Sequence, residues 1–204
     1  MDTYIYMLPC FIVCYFVGSL SPAILIGKIF KKDIMSEGSG NAGTTNVLRT
    51  LGVVPAVCVF ALDVAKGFFG VFLSALIINS ITNYDVLAQI CGYGGGVGIV
   101  YGHVFSCFHH FKAGKGVASS IGVAFAVNWM LGLACATIML LAALTTRMIS
   151  VGSILVAVAI FVFACIFEPI FYPYSIAISV IVLVKHAGNM NRIIHGKERK
   201  LFQK

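Results

Sequence analysis

Charged residues are scarce in this sequence: they make up 10% of its 204 residues, whereas soluble domains carry about 25%. Tryptophan occurs once, and the acidic residues number only seven against 14 Lys and Arg. With 60% hydrophobic residues and a mean hydropathy of +1.00, the chain has more apolar surface than a soluble globule of this size can bury. The composition therefore excludes an ordinary soluble domain and predicts one all-α integral membrane domain over residues 1–204.

A targeting peptide, a cysteine pair and a carboxylate cluster are also missing. The N-terminus carries Asp2 but no Lys or Arg, so it lacks the cationic region of a signal peptide, and the first apolar segment is expected to remain as a helix. The seven cysteines form no C-x-x-C pair and, apart from Cys107, lie within apolar runs, which favours packed thiols over disulfides. We expect no metal, no cofactor, no nucleic acid and no obligatory protein partner.

The apolar segments and the cations between them predict a membrane topology. Lys and Arg follow the first, third, fourth and last segments, whereas the connections 79–85 and 167–173 contain neither. Under the positive-inside rule the cationic loops are cytoplasmic, with the other connections outside. The segments cover residues 5–29, 53–78, 86–107, 117–145, 149–167 and 170–184, of which the fourth is long and the last short for a membrane span.

One segment conflicts with this rule. Lys115 and Arg147 would share the cytoplasmic side, yet only segment 117–145 separates them. The conflict disappears if this segment is a hairpin of two short helices that turns near Asn128–Trp129, since Asn favours turns and Trp the membrane interface. The prediction is then a bundle of seven transmembrane helices with the N-terminus outside and the C-terminus in the cytoplasm. A single tilted helix with Arg147 outside is the alternative.

Two features lie inside predicted spans. Asp63 and Lys66 are three residues apart and therefore meet on one helix face, as a functional pair or as a purely structural ion pair. The segment CGYGGGVGIVYG, residues 91–102, contains overlapping G-x-x-x-G spacings. Such spacings predict close packing between helices in lipid.

Polar residues collect in four clusters that the topology places on the cytoplasmic side: 36–49, 103–116, 145–153 and 186–200. Each cluster combines cations with neutral donors, so we expect them to form one anion-binding site. The first, SEGSGNAGTTNVLR, offers glycine-flanked backbone N–H groups, hydroxyls and Arg49, which suits a phosphate. Attraction to anionic lipid head groups is the alternative for basic residues, and it accounts for the surface residues Lys197, Arg199, Lys200 and Lys204.

Three motifs carry a family resemblance. GSGNAGTTNVLRTLG, GHVFSCFHHFKAGKGVASSIG and HAGNMNRIIHGKE, preceded by GSLSPAILIGK, closely resemble the bacterial acyl-phosphate:glycerol-3-phosphate acyltransferases, the PlsY family. The resemblance implies seven spans and transfer of a fatty acyl group from acyl phosphate to the sn-1 hydroxyl of glycerol 3-phosphate. The products would be lysophosphatidic acid and inorganic phosphate. The implied location is the bacterial cytoplasmic (inner) membrane, with the active site on its cytoplasmic face.

The resemblance, together with the cations of the four polar clusters, implies roles for individual residues. The expected catalytic residues are Ser39, Arg49, Lys112, His186 and Asn189. The expected binding residues for the two phosphorylated substrates are Gly38, Gly40, Asn41, Thr45, Asn46, His103, Gly114, Lys115, Gly116, Arg147, Ser150 and Arg192.

The motifs depart from the family pattern in four respects. Ser106 stands where proline is common, Ala113 replaces a glycine, Thr44 replaces an alanine, and Ala187 and Gly188 precede the Asn of the last motif. These changes affect loop rigidity and substrate preference rather than activity, because they remove no charged or acid–base group.

The expected chemistry requires no enzyme nucleophile, because an acyl phosphate is already an activated anhydride. The sequence indeed lacks a G-x-S-x-G elbow and an H-x-x-x-x-D pair. The general base is either His186 or a substrate phosphate oxygen, and the absence of an evident carboxylate–histidine pair favours the oxygen. A transporter of an organic phosphate is the alternative function. A channel based on the G-Y-G of CGYGGG is disfavoured, because the run lies inside an uninterrupted apolar span.

Overall fold

The computed structural model describes residues 3–201, and within this range the secondary structure is helical, without strands. Asp2 and Lys204 lie outside the described residues. Short 3₁₀ helices at Cys107–His109 and Pro169–Phe171 accompany ten α-helices. The helices are α1 Thr3–Ser19, α2 Pro22–Ile29, α3 Thr44–Thr50, α4 Val53–Thr82, α5 Asp85–Val104, α6 Val117–Val127, α7 Trp129–Thr146, α8 Ile149–Phe167, α9 Tyr172–Lys185 and α10 Ala187–Ile194.

Several of these helices have the length and composition of a membrane span. Among the described residues four stretches qualify, Ile5–Ile29, Val53–Thr82, Trp129–Thr146 and Ile149–Phe167. A fifth is added if the stretch Pro169–Lys185, which contains the second 3₁₀ helix and α9, counts as one span with α10, which is bent by 55° relative to it. Large apolar side chains on these helices are exposed, as on Val54, Phe69 and Leu144. Exposed apolar surface on this scale suits a protein surrounded by lipid.

The first apolar segment is not one continuous helix. α1 ends at Ser19 and α2 begins at Pro22, with Ser21 as its N-cap accepting a hydrogen bond from the Ile24 amide at 3.4 Å. Proline suits the first turn of a helix because it has no N–H, and it disfavours helical backbone in the residue before it. The break leaves carbonyls at the end of α1 without helical partners.

The segment 117–145 divides into two helices at Asn128. The Asn128 side-chain oxygen accepts from the Met130 amide at 2.9 Å and so caps α7, while its nitrogen donates to the Phe167 carbonyl at 3.3 Å. The ring of Phe125 packs directly on Gly132 across the break. α7 then ends at Thr146, with the left-handed residue Arg147 as its C-cap, and only Met148 separates Arg147 from the start of α8. The predicted break near Asn128–Trp129 is therefore present.

The glycines of α5 bring three helices into backbone contact. A Cβ at Gly98 would overlap the Phe11 carbonyl of α1, and a Cβ at Gly92 would lie 3.0 Å from the Val71 carbonyl of α4. Residues 91–100 of α5 are all buried, so this glycine-rich helix lies between α1 and α4. The predicted close packing is confirmed.

Candidate active site

A cavity of about 740 Å³ lies where α3, the loop before α6, the start of α8 and α10 meet. Residues from all four polar clusters line it, which confirms that distant parts of the chain converge. The predicted residues in its wall are Gly38, Ser39, Gly40, Asn41, Thr45, Asn46, Arg49, His103, Lys115, Gly116, Ser150, His186, Asn189 and Arg192.

Asn46 builds the first loop of this wall. Its side-chain oxygen accepts from the Ser39 amide at 2.7 Å, and its nitrogen donates to the carbonyls of Ile34 and Glu37 at 2.9 and 3.0 Å. Asn46 is 1% exposed, so these backbone bonds occupy its amide. Gly38 has a positive φ of 66° and lies against the Asn46 oxygen, where a side chain would overlap. Asn46 therefore shapes the loop from behind rather than offering its amide to a ligand.

The loop from Phe105 to Gly116 is fixed by contacts with other elements. The Ser106 hydroxyl donates to the Ser19 carbonyl at 2.7 Å, and the Ala42 amide donates to the Ala113 carbonyl at 3.3 Å. Ser106 is fully buried, and its φ of −61° matches the angle that a proline ring would impose. The serine thus keeps proline-like backbone and adds a hydrogen bond. Ala113 is buried and packs in a small apolar cluster that includes Val47.

A chain of hydrogen bonds connects the second and fourth clusters. The Lys115 ammonium donates to the Asn189 side-chain oxygen, and the Asn189 nitrogen donates to Glu198 Oε1 at 2.7 Å. Arg192 Nε donates to the other carboxylate oxygen at 2.7 Å. Glu198 is 8% exposed, so its carboxylate is an internal counter-ion for this part of the cavity.

Cations outnumber carboxylates in the cavity wall. The cationic side chains are Arg49, Lys115, Lys185, Arg192 and Arg199, and the carboxylates are Asp63 and Glu198. Burial, together with repulsion from Arg192, lowers the pKa of Lys115 to about 8 despite the opposing effect of Glu198. Burial raises the pKa of Glu198, but hydrogen bonds from Asn189 and Arg192 outweigh it and hold the pKa below its usual value. An excess of partly desolvated cations favours a multiply charged anion.

His186 is buried, with 3% exposure, and Nδ1 of its ring lies 2.8 Å from the Val182 carbonyl. A carbonyl only accepts hydrogen bonds, so Nδ1 carries the proton. In the neutral ring Nε2 is then an acceptor. This tautomer suits contact with a substrate hydroxyl.

Apolar side chains form another part of the wall. They come from α3, α4, α6, α7 and α8, and they are Leu48, Phe60, Val117, Met139 and Ile149. The cavity thus combines a cationic region with an apolar region, as an amphipathic anion requires. Among residues 3–201, no group of His, Cys, Asp and Glu is arranged to hold a metal ion.

Some predicted residues do not line the cavity. Lys112 and Arg147 are exposed and lie outside its wall, and the Arg147 carbonyl accepts from the Leu201 amide at 2.6 Å. Gly114 lies behind the wall, against the ring of His103.

Other lining residues were missed by the sequence analysis. Arg199, which was assigned to the membrane surface, lines the cavity, as do Glu198 and Lys185. The carboxylate–histidine pair that the sequence did not reveal is also present: Asp63 Oδ1 lies 3.2 Å from His103 Nδ1. No sequence signal joins these two residues, because they lie 40 residues apart on different helices.

The helical fold and its exposed apolar side chains define an integral membrane protein, and its cavity has the charge and apolar surface that suit an anionic, partly apolar ligand. A family profile described as "Glycerol-3-phosphate acyltransferase" matches residues 8–196. The chain therefore belongs to the glycerol-3-phosphate acyltransferase family.

Individual relatives agree with this assignment. Glycerol-3-phosphate acyltransferase of Shouchella clausii (strain KSM-K16) is 39% identical over 197 residues, covering 93% of each chain. The protein of the same name from Finegoldia magna is 36% identical over 202 residues, covering 97% of this chain and 98% of its own.

The fold is similar to that of a solved relative. The crystal structure of PlsY (YgiH), an integral membrane glycerol 3-phosphate acyltransferase, in its glycerol 3-phosphate form has a TM-score of 0.85 and 31% identity, covering 97% of this chain and 99% of that one. Its lysophosphatidic acid form has a TM-score of 0.82, with coverage of 95% and 94%.

Proposed function

We propose that the chain transfers a fatty acyl group from acyl phosphate to the sn-1 hydroxyl of glycerol 3-phosphate, with lysophosphatidic acid and inorganic phosphate as products. The observation that carries the proposal is the single cavity in which cationic groups from separate loops adjoin an apolar wall. Glycerol 3-phosphate and lysophosphatidic acid are the ligands named for the two forms of the related crystal structure.

In this proposal the cationic region of the cavity binds the phosphoryl groups of both substrates, and the apolar region binds the acyl chain. The loop around Ser39, Asn41 and Thr45, with Arg49, binds one phosphoryl group, while Lys115 and Ser150 bind the other. His186, Asn189 and Arg192 hold the glycerol 3-phosphate. The cations reduce the repulsion between the two phosphorylated reactants, and the apolar wall receives the acyl chain. Proximity and electrostatic stabilisation each lower the activation barrier of such reactions by roughly several kcal/mol.

The hydroxyl of glycerol 3-phosphate attacks the acyl carbonyl, and the carbon–oxygen bond to phosphate breaks. Inorganic phosphate leaves with the electron pair of that bond. The hydroxyl proton passes to a phosphate oxygen of a substrate, or to Nε2 of His186, which is an acceptor in the tautomer described above. Replacement of His186 by Gln separates these cases, because the amide accepts a hydrogen bond but takes up no proton.

Phosphate release by the purified protein in detergent tests the reaction. Palmitoyl phosphate should give phosphate and lysophosphatidic acid only when glycerol 3-phosphate is present. Palmitoyl-coenzyme A, which has the same acyl chain without the acyl phosphate group, is the matched donor and should give no product. Turnover of the thioester instead would disprove the proposed donor. Uptake of glycerol 3-phosphate into proteoliposomes without any chemistry would support a transporter.

We further propose seven crossings of the bacterial cytoplasmic membrane, with the N-terminus outside and the cavity on the cytoplasmic side. The support is that α6 begins beside Lys115 and α8 begins at Ile149, both at the cavity end. In a cysteine-free background, Glu37→Cys and Lys197→Cys should react with an impermeant maleimide only from the cytoplasmic side. Asn83→Cys should react only from outside. Labelling of Glu37→Cys and Lys197→Cys from opposite sides would exclude a shared cavity.

A further inference from the structure

A cluster of three ionisable side chains lies between α4 and α5, and two of them, Asp63 and His103, line the cavity. Lys66 Nζ is 2.8 Å from Asp63 Oδ1 and 2.9 Å from His103 Nδ1. The side chains of Lys66 and Asp63 are 9% and 2% exposed, and that of His103 is 5% exposed. Burying charged groups in this way costs free energy. Asp63 and Lys66 already neutralise each other, so charge balance does not require a histidine beside them. The histidine therefore calls for a separate explanation.

Lys66 ties the cluster to the break after α1. Its ammonium donates to the Gly18 and Leu20 carbonyls at 3.2 and 3.1 Å. An ammonium has three N–H groups, so one remains for Asp63 and His103. Contacts with α1, α4 and α5 together thus hold the His103 ring in place, and the ring is therefore a rigid support.

The opposite edge of the His103 ring supports the loop that carries Lys115. The Gly114 amide donates to the His103 carbonyl at 3.1 Å. A Cβ at Gly114 would overlap ring atom Nε2 and lie 2.7 Å from each neighbouring ring carbon. The ring edge therefore fixes where the backbone of Gly114 lies, and Lys115 is the next residue.

We infer that His103 is a positioning residue for Lys115, held in place by Asp63 and Lys66. This inference rests on the proposed function, in which Lys115 binds a phosphoryl group. Direct proton transfer by His103 is the competing role. Contact between Nε2 and the Gly114 backbone argues against it, because that nitrogen faces the loop.

Two single variants and their combination test the contact. Gly114→Ala should raise the KM for glycerol 3-phosphate about 10-fold or more, because the methyl group displaces from the ring the loop that carries Lys115, the partner of Asn189. His103→Asn keeps an amide near the Nδ1 position and removes the ring edge. Its combination with Gly114→Ala should recover several-fold of the lost kcat/KM, because the methyl group then has space. His110→Asn is the matched control, because His110 is exposed and has a left-handed φ of 52° that Asn tolerates. Its KM and kcat/KM should equal those of the wild-type protein.

The competing role predicts different kinetics. If His103 transfers the proton, His103→Asn should lower kcat by about 10²–10⁴ with little change in KM, and Gly114→Ala should recover nothing when added. That result would overturn the inference. An equal loss of kcat/KM in Gly114→Ala and in the double variant would also overturn it, provided that both variants remain monodisperse and unfold at the wild-type temperature.

A binding measurement separates this inference from the proposed function. Isothermal titration of each variant with glycerol 3-phosphate should show weaker binding in Gly114→Ala and recovery in the double variant. If the wild-type protein shows no turnover, the proposed function fails. The pattern of titrations still decides whether the His103 ring positions the loop, and titrations with inorganic phosphate provide the second ligand.

Discussion

Lys115 donates a hydrogen bond from its ammonium to the side-chain oxygen of Asn189, which lies 74 residues further along the chain. The same amide donates from its nitrogen to Glu198 at 2.7 Å. Because a carboxylate only accepts, Glu198 determines which end of the Asn189 amide faces Lys115. A lysine in the loop before α6 is thereby oriented by the segment that follows α10.

The two lysines of the K-A-G-K motif should differ in importance. Lys115 lines the cavity, whereas Lys112 is exposed outside it, although the sequence assigned the catalytic role to Lys112. Lys115→Ala should lower kcat/KM about 100-fold, the loss expected for a hydrogen bond to a charged group. Lys112→Ala is the matched control and should retain activity within a factor of about three, on the scale of an exposed charge. Equal loss in both variants would contradict this assignment.

Activity should fall on the alkaline side as Lys115 loses its proton. Burial and the neighbouring Arg192 lower the pKa of Lys115 to about 8, so the free protein loses this charge as the pH rises through that value. The phosphate dianion binds the protonated form, so the KM for the phosphorylated substrate should rise above pH 8. Lys115→Arg keeps its charge throughout this range and should show a flat profile. A wild-type KM that stays constant from pH 7 to 9.5 would disprove the prediction.

The end of the chain should matter more than its basic composition suggests. Glu198 accepts from Asn189 and Arg192, and Arg199 lines the cavity. A chain that ends at Lys197 should lose at least about 10-fold more kcat/KM than one that ends at Glu198, since the buried charged hydrogen bonds go with Glu198. Glu198→Gln keeps the shape of the side chain without its charge, and its kcat/KM should lie between those of the two truncated chains. Equal activity of both truncated chains would refute a role for the carboxylate.

Ser106 should contribute to stability through its hydroxyl. Ser106→Ala leaves the buried Ser19 carbonyl without this donor, which costs about 1–3 kcal/mol. The free energy of unfolding, measured by denaturant titration in detergent micelles, should fall by this amount. Ser80→Ala is the control, because the Ser80 hydroxyl is exposed and donates to the Leu76 carbonyl of its own helix. A smaller loss in Ser106→Ala than in Ser80→Ala would refute the prediction.

Several elements could be predicted because a local physical rule fixes them. The i, i+3 spacing of Asp63 and Lys66 places the pair on one helix face, and the structure has them 2.8 Å apart. The glycine spacings of residues 91–102 led to close helix packing, because only glycine admits a neighbouring backbone at that distance. The break after α1 was missed although Ser21 and Pro22 signal a helix start, because hydropathy runs continuously across it.

The details of the site were less predictable, because they depend on the direction in which each side chain points as well as on its position in the sequence. Sequence motifs placed Lys112 and Lys115 in one cationic group, but the left-handed backbone at His110 and Phe111 turns the loop so that only Lys115 reaches the cavity wall. Asn46 belongs to the phosphate motif, yet its amide is used by the loop itself.

The sequence by itself determined that lipid surrounds this protein and that its polar loops suit phosphorylated ligands. Both conclusions follow from residue types and short-range spacing, which folding does not change. Only the tertiary structure decided which polar groups line the cavity and which support the fold. Asp63 contacts His103, and Glu198 orients Asn189, because helices distant in sequence pack together, and contacts of this kind leave no local pattern.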